Sequence, residues 1–470
     1  MIYKMKINES IFKAYDIRGI YPTDINEEIL DRIIRAIYTF FTEELHRQNL
    51  QVALGYDMRV SGPSLFAVAK RALSELGAQV FDIGMVSTPT FYFSVLHHKF
   101  DCGIQVSASH NPPQWNGLKF VKRVEKGLIK IGKGTGMDKV KELALNNNVL
   151  PKVAGGEVKI VKNVVAEEVK TSLDFLKPKH IKKFKVVADP ANAMGITYLE
   201  ELFKKIPCEL IKMNFKLDGT FPAHQPDPLD FKNLIDLQKR VISEKADLGI
   251  APDGDGDRVF FIDEKGRVIQ ASLISSLIAT EILKNTKAGR VVIDIRYIQN
   301  IAHAVEEAGG KPVIGQVGHA LITQLMHKKD AVFCGESSGH YFYKETGYSE
   351  NSVLTILYVL ETMGRERKTI SELVNKYRFW VESGEINFVL AKGMKAVDLL
   401  DSFASAYRSG KASWLDGLAI AYPDWRFSLR TSNTEPLLRL NVEAKSNDLM
   451  KQKFNELKAK IRKAGATDKL

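Results

Sequence analysis

Val52-Ala-Leu-Gly-Tyr-Asp57 is a short apolar segment that ends in an aspartate, and it opens a pattern that recurs twice along the chain. A helical segment follows it over residues 63–76, and a second apolar segment over residues 79–83. The copies begin at Val186-Val-Ala-Asp189 and Val291-Val-Ile-Asp294, each again followed by a helical and an apolar segment. Strand, helix and strand form a βαβ unit, whose strands pair in parallel through a right-handed crossover. The pattern therefore predicts three related α/β domains, with loops at the carboxyl ends of their strands.

The C-terminal part of the chain is organised differently. Its pattern is typical of strands over residues 385–390, 426–429 and 437–442, and of helices over residues 396–406 and 449–463. Strands that are adjacent in sequence, with helices outside them, predict an α+β domain. We expect four domains, three α/β and one α+β, over residues 1–155, 156–262, 263–375 and 376–470.

The composition is that of an ordinary globular protein, with 470 residues of which 45% are hydrophobic and 26% charged. This length indicates three or four domains. The net charge of +11 either attracts anions such as phosphorylated metabolites or reflects a lysine-rich solvated surface. Because the lysine pairs are scattered and lack interleaved aromatic residues, we predict that the protein does not bind nucleic acid.

The sequence also bears on cellular location. No apolar run is long enough to cross a bilayer, and residues 1–10 lack the apolar core of a secretory signal. Cys102, Cys208 and Cys334 lie far apart, which favours buried thiols in a reducing compartment over a disulfide framework. We therefore predict a cytoplasmic protein with no membrane partner.

An acidic loop, Asp253-Gly-Asp-Gly-Asp-Arg258, lies between two apolar segments that are typical of strands. Its three carboxylates are the ligands that Mg²⁺ and Ca²⁺ prefer. An EF-hand would use the same aspartates with Glu264 at position 12, but Arg258 stands where that loop needs glycine, and strands flank it where helices are required. A solvated acidic turn is the other alternative, although three clustered carboxylates without a cation are unfavourable.

A serine loop, Ser107-Ala-Ser109-His110-Asn111-Pro112, follows the apolar segment Cys102-Gly-Ile-Gln-Val106. Ser109 lies in a turn just after a strand, where its hydroxyl can be exposed. Serine is a poor nucleophile unless a base or a metal activates it, and His110 or Lys119 could help. The alternative is a capping serine in an ordinary turn.

Two further polar loops follow strand-like segments. Gly335-Glu336-Ser337-Ser338-Gly339-His340 could accept hydrogen bonds from sugar hydroxyl groups, or it could be a glycine-rich turn. Arg430-Thr431-Ser432-Asn433-Thr434-Glu435-Pro436 offers a guanidinium, hydroxyl groups and backbone N–H groups, which suit a phosphate. It could equally be a polar hairpin loop.

These four motifs, with Ala14-Tyr15-Asp16-Ile17-Arg18-Gly19, occur in the same order as in the α-D-phosphohexomutase superfamily, which the chain resembles along essentially its whole length. The resemblance implies four domains around a central cleft. From the first domain to the fourth, these would carry the serine loop, the metal loop, the sugar-binding loop and the phosphate-binding loop. The phosphomannomutase/phosphoglucomutase group is the closest match, because Gly-Glu-x-Ser-Gly-His occurs together with Val317-Gly-His319.

The resemblance also implies a role for each motif residue. Ser109 would carry a phosphoryl group, donate it to a hexose monophosphate and take back the other phosphate of a bound hexose 1,6-bisphosphate. Mg²⁺ would bind Asp253, Asp255, Asp257 and a phosphoserine oxygen. Lys119 would be the general acid/base with His110 assisting, and Arg258 and Arg18 would stabilise the moving group. The implied substrate-binding residues are Tyr15, Arg296, His319, Glu336, Ser338, His340, Arg430, Ser432, Asn433 and Thr434.

Substrate and reaction retain alternatives. The glucosamine branch of the superfamily shares the serine and acidic loops but tends to have Gln where this chain has Ser337, and the phosphomannomutase group usually has Lys where this chain has Arg296. We therefore predict a mutase of mannose or glucose phosphates, with phosphoglucosamine mutase as the alternative. A phosphatase that passes the phosphoryl group of Ser109 to water, and a sugar-phosphate binding protein, are further alternatives. The sequence leaves open whether the protein is a monomer or a dimer.

Overall fold

The structure is a computed structural model that describes residues 7–391, 393–431 and 437–469. The chain divides into two compact units. The first contains residues 1–270 and 338–373, and the second contains residues 271–337 and 374–470.

The first domain is a mixed sheet covered by helices. Its elements are β1 (Ile17–Ile20), α1 (Glu27–Leu45), β2 (Gln51–Tyr56), α2 (Gly62–Glu75), β3 (Gln79–Met85), α3 (Thr88–His97), β4 (Cys102–Val106), β5 (Trp115–Val124), β6 (Gly127–Lys130), α4 (Met137–Asn146) and β7 (Glu157–Ile160). The strand order is β1-β5-β4-β2-β3-β7, and β6 pairs with β5. Strands β4, β2, β3 and β7 are mutually parallel. Their carboxyl ends therefore face the same edge of the sheet, where the serine loop follows β4.

The second domain also belongs to the first unit. Its elements are α5 (Val164–Leu176), β8 (Lys185–Ala188), α6 (Gly195–Phe203), β9 (Glu209–Lys212), α7 (Ile235–Glu244), β10 (Leu248–Pro252), β11 (Val259–Asp263) and β12 (Val268–Ile269). The strand order is β12-β11-β10-β8-β9, with β10, β8 and β9 parallel and β11 antiparallel to β10. The acidic loop is therefore the turn of the β10–β11 hairpin.

The third domain begins with α8 (Ala271–Leu283), β13 (Arg290–Asp294), α9 (Gln299–Glu307), β14 (Lys311–Gly315), α10 (His319–Lys329) and β15 (Phe333–Gly335), all in the second unit. β13 pairs in parallel with both β14 and β15. The chain then contributes to the first unit β16 (Tyr341–Tyr343) and β17 (Ser349–Glu350), which form an antiparallel pair, and α11 (Ser352–Glu366). A short helix, α12 (Ile370–Asn375), follows.

The C-terminal domain is an antiparallel sheet with two helices. Its elements are β18 (Val381–Glu382), β19 (Ile386–Val389), α13 (Ala396–Ala406), β20 (Lys411–Ser413), β21 (Leu418–Ala421), β22 (Trp425–Thr431), β23 (Leu437–Ala444), α14 (Asn447–Lys463) and β24 (Thr467–Asp468). The strand order is β20-β21-β22-β23-β19-β24, and β18 pairs with β23. Side chains from both layers, including Phe403, Phe427 and Leu457, form its core. The predicted α+β domain is confirmed.

The three predicted βαβ units are confirmed as β2-α2-β3, β8-α6-β9 and β13-α9-β14, each with parallel strands. The aspartate that follows the first strand of each unit forms the same local turn. Its carboxylate accepts a hydrogen bond from the backbone N–H two residues later, which is an Asx turn. The three donors are Arg59 at 3.0 Å, Ala191 at 3.0 Å and Arg296 at 2.8 Å.

The predictions about cysteines and membrane spans can also be compared with the structure. Cys102, Cys208 and Cys334 are all buried and, among the described residues, form no disulfide, which confirms the prediction of buried thiols. Within the described parts of the chain, no helix combines the length and apolar character needed to span a bilayer.

Candidate active site

Ser109 is buried, although its position after a strand would allow its hydroxyl to be exposed. Its side chain and backbone are only 1% exposed, and its backbone has a φ of 52°, in the left-handed region that non-glycine residues rarely adopt. The Ser109 hydroxyl donates to Asp253 Oδ2 at 2.9 Å and lies 3.1 Å from His110 Nδ1. The hydroxyl is therefore hidden because the acidic loop packs directly against the serine loop.

Glycine permits this close approach. A Cβ atom added at Gly254 would lie 2.3 Å from the carbonyl oxygen of Ser109, so any side chain there would separate the two loops. Gly256 has a φ of 78°, which lets the acidic loop turn back into β11. The glycines of the acidic loop thus bring its carboxylates to the serine.

Arg59 holds the serine loop in place. It is fully buried, and its guanidinium donates to four backbone carbonyl groups of that loop and its continuation: Ser109 at 2.6 Å, Asn111 at 2.6 Å, Pro112 at 2.8 Å and Trp115 at 2.9 Å. Arg59 Nε also lies 3.3 Å from Asp57 Oδ2. Burial raises the pKa of Asp57 and lowers that of Arg59, although the attraction between the two charges opposes both shifts.

The three carboxylates of the acidic loop lie close together. Asp253, Asp255 and Asp257 are buried, and each offers an oxygen within 4.8 Å of the others. Thr88, the first residue of α3, supports this loop. Its backbone N–H donates to the carbonyl of Asp255 at 2.9 Å and its hydroxyl to Asp255 Oδ2 at 2.5 Å. The oxygen-only donor set fits Mg²⁺, and Asp255 Oδ1 is a buried atom without a hydrogen-bond partner among the described residues.

The EF-hand alternative is wrong. Glu264, which would be the ligand at position 12 of such a loop, accepts a hydrogen bond from the hydroxyl of Ser371 at 2.5 Å. The acidic loop is flanked by strands β10 and β11, and an EF-hand requires helices there.

Lys119 supplies the countercharge of the acidic loop. Its ammonium lies 2.6 Å from Asp255 Oδ2 and 2.6 Å from Asp257 Oδ2. Burial disfavours the charge of Lys119, but the two aspartates outweigh burial and raise its pKa well above the usual range. Burial and the neighbouring carboxylates raise the pKa of Asp253, whereas Lys119 and His340 outweigh burial and lower that of Asp257. Lys119 is therefore protonated in this arrangement.

Burial, together with Arg258 and Arg18, lowers the pKa of His110 well below its usual range, so its imidazole is neutral. Arg258 Nε contacts His340 Nε2 at 3.3 Å and lies 3.9 Å from Asp253. Arg18 binds Asp16 at 2.7 Å and also contacts Asn111 of the serine loop. Both predicted arginines are thus placed beside the serine and acidic loops.

His340 and Ser338 of the predicted sugar loop also lie in the first unit. The His340 ring lies 3.1 Å from Asp257 Oδ1 through Nε2 and 3.0 Å from Ser338 Oγ through Nδ1. The remaining first-unit residue of the prediction, Tyr15, lies in a bend before β1. The structure therefore brings together the serine loop, the acidic loop, Lys119, both arginines and His340.

The second unit holds a separate group of predicted residues. Glu336 is buried, accepts from Gly318 N–H at 3.1 Å and lies 3.7 Å from Arg296. Arg296 is paired with Asp294 at 3.0 Å, and this ion pair outweighs burial and raises its pKa. His319 begins α10 directly after Gly318.

Arg430 lies in strand β22 and not in the loop where the sequence places it. It is buried, and its guanidinium lies 3.0 Å from Asp416 and 3.5 Å from Glu385. Asp416 Oδ2 also accepts from Val317 N–H at 3.0 Å. The other predicted phosphate ligands, Ser432, Asn433 and Thr434, lie outside the described residues.

Several site residues escaped the sequence analysis, and they share one property: each acts on a loop that is distant from it in sequence. They are Arg59, Thr88, Gln225, which donates to the carbonyl of His110, and Asp416, and Asp57 acts on the serine loop through its pairing with Arg59. One signal was available, because Asp57-x-Arg59 and Asp294-x-Arg296 have the same spacing at equivalent strand ends.

Comparison with known proteins agrees with this architecture. Models of the phosphoglucomutase/phosphomannomutase family match the chain in four parts: domain I over residues 9–130, domain II over residues 164–266, domain III over residues 271–378 and the C-terminal domain over residues 385–460.

Individual relatives extend over nearly the whole chain. The phosphomannomutase of Methanocaldococcus jannaschii is 35% identical over 464 residues, which cover 97% of this chain and 98% of the relative. The phosphomannomutase of Escherichia coli K12 is 35% identical over 93% of this chain and 95% of its own length. The crystal structure of a phosphoglucomutase/phosphomannomutase family protein from Burkholderia thailandensis is 29% identical, with a TM-score of 0.86 over 99% of this chain and 100% of that one.

These comparisons confirm the predicted superfamily and its four-domain fold class. The chain belongs to the phosphoglucomutase/phosphomannomutase family and is a phosphohexomutase of the isomerase class.

Proposed function

We propose that the protein interconverts the 1-phosphate and 6-phosphate of mannose or glucose through a phosphoserine at Ser109 and a bound hexose 1,6-bisphosphate. The observation that carries this proposal is the position of Ser109 Oγ, 2.9 Å from Asp253 and 3.1 Å from His110 Nδ1. A serine becomes a good nucleophile beside a base or a metal, and this serine lies beside a neutral imidazole and a cluster of metal-type ligands. The phosphomannomutases among its relatives support mannose as one substrate.

Asp253, Asp255 and Asp257, with a phosphoserine oxygen of Ser109, would hold Mg²⁺. When bound, the ion would neutralise charge on the phosphoryl group during transfer. The oxygen-only donor set supports this choice over a softer metal, and the buried Asp255 Oδ1, which has no hydrogen-bond partner among the described residues, supports the presence of a cation.

Lys119 and His110 would manage the protons at Ser109. Lys119 carries its proton, so it is suited to act as the acid when Ser109 Oγ leaves phosphorus. His110 is neutral and contacts the hydroxyl, so it is suited to accept the serine proton when the enzyme is phosphorylated again. Arg258 and Arg18 would balance the charge of the phosphoryl group as it moves, because transfer depends mainly on positioning and electrostatic stabilisation.

The chemistry balances without a further reactant. In the first step the Oγ–P bond of Ser109 breaks and a bond forms between phosphorus and a sugar hydroxyl oxygen, while the proton of that hydroxyl is in effect exchanged onto Ser109. In the second step the other phosphate of the bisphosphate returns to Ser109, and its sugar oxygen regains a proton. The enzyme ends in its starting state.

The remaining predicted residues would bind the sugar and the phosphate that is not reacting. Glu336, His319, Ser338, His340 and Tyr15 would contact the sugar. Arg296 and Arg430, with Ser432, Asn433 and Thr434, would bind phosphate. Arg430 Nη1 supports this role, since it lies 3.5 Å from Glu385 but makes no hydrogen bond among the described residues.

Turnover of three substrates tests the proposal. The enzyme is incubated with Mg²⁺, a trace of hexose 1,6-bisphosphate and one of three substrates: mannose 1-phosphate, glucose 1-phosphate or glucosamine 1-phosphate. Phosphorus NMR follows the conversion of each substrate. We expect 6-phosphates from mannose and glucose, and none with Ser109→Ala. Free phosphate without 6-phosphate would indicate a phosphatase, and fastest turnover of glucosamine 1-phosphate would indicate the glucosamine branch.

Intact-mass measurement tests the phosphoserine independently. We expect a fraction of the protein to carry one phosphoryl group, and this fraction should be absent in Ser109→Ala. A phosphorylated fraction of unchanged size in that variant would contradict the assignment of Ser109.

A further inference from the structure

The outer edge of strand β7 offers backbone groups for pairing. Glu157 N–H donates to Ala78 O at 3.2 Å and Val161 N–H to Asp82 O at 2.8 Å, so these residues face β3. Because backbone groups alternate along a strand, the N–H and C=O of Val158 and Ile160 point away from the sheet. In the described part of the chain no strand pairs with this edge.

The side chains of β7 are unusual for an unpaired edge. All four are exposed, including Val158 at 44% and Ile160 at 73%. Proteins normally protect such edges with a lysine, whose charge opposes association. Here Lys159 lies 3.2 Å from Glu157 on the same face, so its charge is balanced locally.

We propose that this edge pairs antiparallel with the same edge of a second copy of the chain, around a two-fold axis at Val158. Val158 would then lie opposite Val158 of the second copy, and the two residues would exchange both backbone hydrogen bonds, which their outward orientation allows. Glu157 would lie opposite Lys159 of the second copy, and the same pair would form again across the axis. The strand is thus complementary in charge to itself, as a two-fold interface requires.

Charge selects this register over the other symmetric ones. An axis at Glu157 would place two carboxylates opposite each other, and an axis at Lys159 would place two ammonium groups opposite each other. Like charges directly opposite in a sheet are destabilising, whereas opposite charges stabilise it. An axis at Ile160 would pair neither charge with its complement, so the axis at Val158 is the one that the side chains favour.

An adjacent groove would extend the contact. It has a volume of 370 Å³ and is lined by Val158 and by α2 residues that include Ala67, Lys70 and Ser74. Ile160 lies on the same face of β7 as Val158, because side chains two residues apart share a face. Pairing therefore joins the Val158 and Ile160 side chains of the two copies into one apolar strip beside two such grooves.

Sedimentation equilibrium over a range of concentrations, with charge-exchange variants, tests the pairing. We expect the wild type to show a monomer–dimer equilibrium. Glu157→Lys or Lys159→Glu alone creates two like-charge pairs across the axis and should weaken the dimer roughly ten- to thirtyfold. The double variant E157K/K159E restores both pairs and should recover most of the wild-type affinity.

Two further variants separate pairing from general effects of charge and folding. Val158→Pro removes an N–H that points outward and should abolish the dimer without lowering the melting temperature. Lys170→Glu, in an exposed ion pair with Asp174 on α5, is the matched control and should leave the dimer unchanged. A monomeric wild type at all concentrations, or a dimer unaffected by both single charge changes and by Val158→Pro, would overturn the proposal.

Discussion

Replacing Arg59 by lysine tests whether the serine loop depends on one buried guanidinium. Arg59 donates through two nitrogens, Nη2 to Ser109 and Asn111 and Nη1 to Pro112 and Trp115, at 2.6–2.9 Å. A lysine ammonium is a single point and can replace only one of these branches. Two hydrogen bonds to a charged donor would be lost at a fully buried residue, at about 1.5 kcal/mol each. We expect the free energy of unfolding to fall by about 3 kcal/mol.

The same change should reduce catalysis at Ser109. Loss of one branch lets part of the loop move, and a displacement near 1 Å at a reacting group costs about a hundredfold in rate. Arg59 touches no reacting atom, so it is a positioning residue. We therefore expect kcat for glucose 1-phosphate to fall about a hundredfold with little change in KM, and the phosphorylated fraction of the protein to decrease.

Arg71→Lys is the matched control for this experiment. Arg71 is 59% exposed and has one carboxylate partner, Asp31, at 3.2 Å, so its replacement should change stability by less than about 0.5 kcal/mol. Denaturant unfolding and steady-state kinetics of both variants provide the comparison. Arg59→Lys with the stability and kcat of Arg71→Lys would refute the reasoning, and a destabilised variant with full kcat would refute its catalytic part.

Three further predictions concern other parts of the molecule. Thr88→Val removes the hydroxyl that binds Asp255, so the Mg²⁺ concentration for half-maximal activity should rise about tenfold or more, with recovery in Thr88→Ser; an unchanged Mg²⁺ requirement would contradict this role. Burial raises the pKa of Glu168 from 4.5 to about 7, so the unfolded chain loses this proton first and stability falls by about 3 kcal/mol as the pH rises from about 4.5 to 7. Glu168→Gln should lack this fall and be more stable than the wild type at pH 8 in denaturant unfolding; parallel pH profiles would argue against it. Asp416→Asn replaces the carboxylate that binds Arg430 with a neutral amide, so KM for glucose 1-phosphate should rise about tenfold with kcat little changed. A loss confined to kcat would contradict this expectation.

The elements of the fold were largely predictable from the sequence because they repeat a strong local pattern. Apolar runs that end in aspartate and lead into helical segments identified the three βαβ units, and the helix over residues 396–406 matches α13 (Ala396–Ala406). The position of the acidic loop between two strands was also correct. Such features depend on residues within about ten positions of one another, where periodicity is informative.

The burial and support of the site were less predictable because they depend on contacts between distant residues. The acidic loop approaches the backbone of Ser109 closely at Gly254, and nothing near Ser109 in the sequence indicates that contact. The residues that follow Arg430 in the sequence are typical of a phosphate-binding loop. Arg430 itself lies in β22, because that strand continues its pairing with β23 through this residue. Thr88 has no motif of its own, and its role follows from the position of α3 beside the acidic loop.

The three strand-end aspartates show how related domains acquire different sites. Asp57 and Asp294 are each followed two positions later by an arginine that pairs with them. In both domains the pair supports a neighbouring loop: Arg59 binds the serine loop, and Asp294 accepts from Ser337 N–H at 2.6 Å in the loop over residues 335–340. Asp189 has Ala191 at that position, and its carboxylate binds His224 and Asn214 instead. The second domain thus has alanine at the position equivalent to Arg59 and Arg296, and its acidic loop is supported by Thr88 and Lys119 from the first domain. Because these supports come from another domain, the acidic loop should be more sensitive than the serine loop to changes that shift the first domain against the second.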